Sequence, residues 1–502
     1  MLYKLKIIKV QISIMLIVSF ILLMFVSCAN NDSTTQDGNT LSRSDDDGSI
    51  ITGDAEIPTD DPYYIPNLPD VTYNEYNFRI LNTLNEPITW LLTLLEAEEE
   101  TGEVFDDAVY RRNRIIEERY DIVINEILVN GTDELRNRTQ RSVQAGSDDY
   151  DMTMLTGGHA FTLAQAGVLT EVKNIPNVDL TKGYWDQSVQ RDFSLQNNLY
   201  MLGGDFSFTH YSATMVMFFN KKLIEDYSLE MPYNLVKNGE WTFDKFHSLA
   251  KATVEDLDGD GVMNSNDRYG YMSLTFLLYP AFMTAANQPY IIKDDSDTPF
   301  LNIGNEKFVD VYQKMIGIMH DGFLLFDADV AGNHRLQDVM FPNNQTLFWT
   351  ELMNWSKILR DMDADFGILP HPKYDQIQEN YRSMVAGTTF MTVPLTNTDL
   401  DRTGIILEAL CAESRKSVMP VYYDTVLKTK ISRDDESGEM LDIIFATRSY
   451  DLADVVWGSQ CYGPFNTLAR QNNADVVSFV DRNKDRIEVA IEKTLDALNE
   501  NN

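Results

Sequence analysis

Asp151–Val172 reads DMTMLTGGHAFTLAQAGVLTEV. Tyr150–Thr156, which overlaps its start, is beyond Asp151 a short run of apolar and β-branched residues, the pattern of a strand buried on both sides. Gly157, Gly158 and His159 end the run, a helix-like stretch carries on to Ala166, and Gly167-Val168-Leu169 turns the chain back. A buried strand that feeds a helix predicts a parallel sheet covered by helices.

The surroundings repeat that alternation. Upstream, Phe78–Leu84 reads as a strand and Asp106–Tyr120 as a helix with Val109, Ile115 and Ile116 on its apolar face. Asp121–Leu128 reads as a second strand and Thr132–Ala145 as a polar helix with Asp133 and Glu134 in its first turn. Downstream, Leu199–Leu202, Thr214–Asn220, Thr346–Thr350, Phe366–Leu369 and Phe390–Val393 read as further strands. Thr242 is the expected N-cap of a helix over Phe243–Thr253. The last third reads as largely helical and closes with Asp475–Leu498, and no internal repeat interrupts the order.

The N-terminal end predicts an address. Lys4, Lys6 and Lys9 precede an apolar stretch, Ile12–Val26, which ends at Phe25-Val26-Ser27-Cys28. That is a charged region, an apolar region and a cysteine placed to be lipidated, so residues 1–28 are expected to be a lipoprotein signal peptide ending at Cys28. A signal anchor with an incidental cysteine is the competing reading. Residues 29–72 are rich in Asn, Asp, Ser, Thr, Gly and Pro, lack apolar runs, and are expected to form a disordered tether. The expected location is the extracellular face of a membrane, held by the lipid.

The remainder is too long for one simple core and predicts two lobes. With 77 acidic against 41 basic residues the formal net charge is −36, which excludes nucleic acid and anionic membrane surfaces as partners. An anionic ligand needs a local basic site to overcome this field. Besides Cys28 there are only Cys411 and Cys461, and Cys411 sits in a helical core pattern that favours a buried free thiol over a disulfide.

The sharpest local motif is Asp256–Asp267, DLDGDGVMNSND. Oxygen-bearing side chains fall at Asp256, Asp258, Asp260, Asn264 and Asp267, loop positions 1, 3, 5, 9 and 12. Gly261 falls at position 6 and Val262, at position 7, offers its carbonyl. This spacing predicts one structural calcium ion, with an entering helix and no obvious exiting one. An acidic glycine-rich turn without a metal is the plain alternative.

Taken together, the order of segments resembles the carbohydrate-type extracellular solute-binding lipoproteins of ABC importers, the group that includes maltose-binding protein. The resemblance is carried by Asp151–Val172, by MFFNKKLI at Met217–Ile224, by WTFDKFHSLAK at Trp241–Lys251, by TLFWTE at Thr346–Glu351 and by FGILP at Phe366–Pro370. Met362–Phe366 and Arg433-Asp434 look typical of a clostridial subgroup of the family. The resemblance implies an α/β, type II periplasmic-binding-protein-like fold. Such a fold has two lobes of mixed sheets flanked by helices, with a hinge cleft between them. It implies lobe 1 over residues 73–210 and 348–420, and lobe 2 over 211–347 and 421–502, with the calcium loop in lobe 2. It also implies a monomer that delivers a solute, a sugar or oligosaccharide, to importer permease subunits.

A sugar cleft needs flat aromatics and planar polar groups. Matching the family's segments, the expected ligand-binding residues are Trp90, Gly158, His159, Asp205, Tyr211, Trp349, Glu351 and Trp457, with Trp185 as a further candidate and Trp241 assigned to packing. No catalytic residue is expected, because no nucleophile elbow, zinc-protease motif or phosphate-binding loop is present. A sensor or adhesin with the same two-lobe body is the alternative function, and a glycan-active enzyme a more distant one.

Overall fold

The structure, a computed structural model, describes residues 61–84, 95–329, 331–423 and 435–501. Cys28, Trp90 and most of the expected tether lie outside the described residues. The part of that tether which is described does not hang free. Lys182 Nζ donates to the Pro62 carbonyl at 2.8 Å and Gly183 N to that of Tyr63 at 3.0 Å. Tyr63 and Tyr64 bring apolar ring area that a polar tether lacks, and the boundary expected at residue 72 moves accordingly.

Two mixed sheets organise the body. Strand β1 (Tyr76–Thr83) pairs in parallel with β2 (Ile122–Val129), Tyr76 opposite Ile122, and with β3 (Met152–Thr156), Ile80 opposite Met152. The second sheet takes β4 (Met215–Asn220), β5 (Tyr269–Ser273), β8 (Leu325–Asp327), β9 (Thr346–Leu352) and β10 (Phe366–Leu369), in the order β10-β4-β9-β5-β8. A small hairpin of β6 (Ile291–Lys293) and β7 (Pro299–Leu301) stands apart. Strand β11 (Ser383–Met384) pairs with β13 (Arg448–Ser449), and β12 (Thr389–Thr392) completes the first sheet, antiparallel to β3. Helices α1 (Val104–Tyr120), α2 (Thr132–Gln144) and α3 (Gly157–Gln165) follow the strands of the first sheet, as the alternation requires.

Strand β3 is buried along its length because α3 and the antiparallel β12 enclose it. Its preceding residue, Asp151, is fully buried and satisfied. It accepts from Tyr76 Oη at 2.8 Å, and from Arg79 N at 2.8 Å and Nε at 2.9 Å. Charge-assisted bonds of this kind make β1 and the start of β3 one rigid body. Strand β4 is buried on both faces. Met217 and Phe219 enter one apolar cluster and Val216 and Phe218 another, so its unbroken apolar run follows from its central position.

One expectation is corrected. The strands over 346–352 and 366–369 do not return to the first lobe; both pair with β4 in the second sheet. Among the described residues the chain rejoins the first sheet at β12. Family-like order cannot distinguish these cases, because register and neighbour are set by which apolar face finds which partner. Leu199–Leu202, expected as a strand, contributes a single bridge, Leu202 to Met391. Helix α4 (Phe243–Lys251) starts at Thr242, whose side chain makes no capping bond; Phe243 N donates instead to the Lys373 carbonyl at 2.8 Å.

Candidate functional site

Two segments run side by side between the sheets: Gly203–Thr214, which leads into β4, and the stretch from β11 to β12. Thr214 bridges to Val385. Gly204 is required for the approach, since a Cβ there would stand 2.8 Å from both Cys411 Sγ and the Trp185 ring. The crossing then carries Asp205, His210 and Tyr211, all buried.

Around them the tertiary structure gathers charges from distant parts of the chain. Tyr211 Oη donates to Asp205 Oδ1 at 3.1 Å, and Arg415 Nη1 stands 3.5 Å from Asp205 Oδ2. Asp186 Oδ1 accepts from Ser188 N at 2.9 Å, and its Oδ2 accepts from Tyr450 Oη at 3.0 Å, with Arg448 Nη2 at 3.5 Å. The Arg448 guanidinium lies over the Tyr211 ring. Burial pushes Asp205 up to about 6, against the pull of Arg415 and Tyr211. Burial alone would also raise Asp186, but Arg448, with the bonds from Ser188 N and Tyr450 Oη, holds it below the usual carboxylate range. His210 is lowered to about 3 by burial and by Arg448, so it is neutral.

An aromatic face adjoins this ring of charge. Phe105, at the start of α1, meets Phe208 at 5.0 Å between ring centres, and Phe208 stacks on Tyr422 at 5.7 Å. Tyr211 meets Phe445 edge-on at 5.0 Å. Flat rings next to a mixed set of donors and acceptors are what a polyhydroxylated solute requires.

Of the described residues expected from sequence, only Asp205 and Tyr211 join this cluster. Trp349 is fully buried between Phe218 and Phe341, and its indole N–H donates to Gln337 at 2.9 Å. Its neighbour Glu351 is buried in β9 and accepts from Leu352 N at 2.9 Å; burial lifts it to about 8. Trp457 is buried and donates at 3.1 Å to Thr494 Oγ1 on the C-terminal helix, α5 (Val476–Glu500). All three are buried away from the cluster. Gly158 lies close to the Val455 carbonyl. His159 faces Asp133 on α2, 3.4 Å away, and burial lowers its affinity for a proton. Trp185 donates to Glu408 at 2.8 Å inside the core, and Trp241 packs on Phe246 and Phe348.

Sequence reasoning missed Asp186, Arg415, Tyr422, Phe445, Arg448 and Tyr450. None lies in a periodic pattern or motif; only long-range packing brings them together. Cys411 and Cys461 are both buried and free.

In the loop over 256–267 three of the six expected ligands come together. Asp256, Asp258 and Asp260 each offer an oxygen, and these lie within 4.8 Å of one another. Gly261 N donates to Asp256 Oδ2 at 2.8 Å, with Gly261 at a φ of +80°. Asp267 is fully buried; it accepts from Leu257 N at 2.9 Å and Asn264 N at 2.8 Å. Paired backbone bonds between Glu255 and Arg268 close the base of the loop, and β5 follows directly in place of an exiting helix. An all-oxygen, carboxylate-rich donor set of this shape fits calcium.

The two sheets joined by crossing segments define the two-lobe solute-binding class of α/β fold. Known structures agree. The fold is similar to UgpB from Mycobacterium tuberculosis in complex with glycerophosphocholine (TM-score 0.55, 14% identity, covering 84% of this chain and 99% of that one). It is also similar to an ABC substrate-binding protein from Listeria monocytogenes in complex with cycloalternan (0.51, 13%, 85% and 98%). RafE from Streptococcus pneumoniae matches at 0.51 and 14% identity, covering 86% and 98%. No curated protein matches the sequence. Residues 98–335 match the family described as bacterial extracellular solute-binding protein.

Proposed function

We propose that this protein is a lipid-anchored extracellular receptor that captures a sugar or oligosaccharide between its lobes and delivers it to an ABC importer. The observation that carries the reading is the crossing itself, where Tyr211, Tyr422 and Phe445 adjoin the Asp186, Asp205, Arg415 and Arg448 groups. Aromatic faces take sugar rings, and planar charged groups take hydroxyls. The family match and the sugar complexes among similar folds support it. The lipid at Cys28 is the expected anchor, and among the described residues no helix is long and apolar enough to cross a membrane. Calcium is proposed for the 256–267 loop, held by Asp256, Asp258, Asp260, the Val262 carbonyl, Asn264 and Asp267. There it offsets clustered carboxylates and fixes the loop ahead of β5. A monomer is the working form.

A thermal-shift panel of mono- and oligosaccharides tests the function. A ligand that binds only the folded state raises the melting temperature by mass action. The expected result is a rise with at least one sugar, abolished in Tyr211→Ala. No rise across the panel sinks the carbohydrate reading.

A further inference from the structure

On β11 the Ser383 hydroxyl, which can donate or accept, lacks a partner; the other unpartnered buried polar atoms of the crossing are donors. Among the described residues of this cluster they are Arg448 Nε, Arg448 Nη1 and Arg415 Nε. The acceptors beside them are engaged: Asp186 by Ser188, Tyr450 and Arg448, and Asp205 by Tyr211 and Arg415. Both arginine–carboxylate pairs stand at 3.5 Å, well beyond the distance of a tight charge-assisted bond. The two arginine side chains are only 10% and 12% exposed, and their free N–H groups are closed off from bulk water. Leaving such donors unmatched is costly, and the arrangement calls for a ligand that supplies acceptors.

We infer that the solute held at this crossing carries a carboxylate, as an acidic sugar of the uronate type does, and that Arg448 and Arg415 take it. This rests on the reading of the crossing as the sugar site. A neutral hydroxyl both donates and accepts, and beside engaged carboxylates its proton finds few free acceptors. A carboxylate only accepts, and its two oxygens match the planar fork of a guanidinium. The overall charge of −36 makes a local cation a condition for holding any anion, and Arg448 and Arg415, although each faces a carboxylate, are the cations of this crossing. The Tyr211 ring under Arg448 adds the apolar face on which the sugar carrying that carboxylate rests.

Calorimetric titration of the full-length chain tests the inference. The probes are uronate disaccharides and the neutral disaccharides of the same skeleton. The uronates are expected to bind about a hundredfold more tightly than their neutral counterparts. Arg448→Gln is expected to remove that preference and Arg448→Lys to keep part of it. Far-ultraviolet dichroism and the melting temperature check that both variants fold, and Arg415→Gln provides a second readout if Arg448→Gln does not. Equal binding of neutral sugars, or uronate binding undiminished in a folded Arg448→Gln, overturns the carboxylate while leaving the sugar site standing. Binding of no sugar of either kind overturns both.

Discussion

The guanidinium of Arg448 lies 4.4 Å from the centre of the Tyr211 ring. The first residue arrives on β13 and the second on the crossing into β4, so their contact locks the C-terminal third to the hinge region. A cation over an aromatic ring contributes about 0.5–2 kcal/mol, more as water is excluded. Tyr211→Phe keeps the ring and loses the hydroxyl's bonds to Asp205 and Arg448, so unfolding in urea should show a loss of about 1 kcal/mol with solute binding retained. Tyr211→Ala should lose binding. Retention of binding in the alanine variant would mean that the ring does not position Arg448.

Trp349 supports the second sheet from inside. Its ring is 5.4 Å from Phe218, the residue opposite it in register, and 5.5 Å from Phe341. Trp349→Ala should cost about 3–5 kcal/mol through the cavity it leaves, visible as a lower urea midpoint. Trp349→Phe should recover most of that loss. Binding, measured where the variant is folded, should be unchanged; a selective loss of affinity would restore the tryptophan to the ligand site.

Glu351 gives the fold a pH dependence of definite sign. Its folded value of about 8 lies above the ordinary carboxylate value of 4.5, with burial as the cause. The protonated form is favoured in the native state, so its stabilising effect is complete below the ordinary value. That effect is lost as pH rises through the folded value. At pH 8 the penalty is roughly 4 kcal/mol, since each tenfold change in proton affinity corresponds to about 1.4 kcal/mol. Glu351→Gln should therefore raise the melting temperature relative to the parent at pH 8 and hardly at all at pH 4.5. A gain independent of pH would refute the assignment.

For the calcium loop, chelation should lower the melting temperature, and added calcium should restore it. Binding at a thousandfold excess over Kd contributes about 4 kcal/mol. Asp258→Ala should abolish the response. A parent protein whose melting curve ignores both chelator and calcium has no functional metal site in this loop.

Much of the fold was legible because local physics wrote it. The run from Met152 to Leu155 is apolar enough that only a buried strand accommodates it, and the glycines after it mark the turn into α3. The nearness of Asp256, Asp258 and Asp260 was legible for a similar reason: the three carboxylates come from one short stretch. The ligand site was not legible in this way. Trp349 and Trp457 look like stacking platforms in sequence, yet both are covered, because a tryptophan's exposure depends on what packs over it. Arg448 and Arg415 carry no local signature.

The sequence by itself therefore determined the alternating elements, the acidic field and the nearness of Asp256, Asp258 and Asp260, all of which depend on neighbours along the chain. Only the tertiary structure decided that β9 and β10 stay in the second sheet and that Asp186, Asp205, Arg415 and Arg448 meet at the crossing. Those outcomes depend on the burial of apolar faces far apart in sequence. Once those faces close, they hold charges together that the chain alone would keep apart in water.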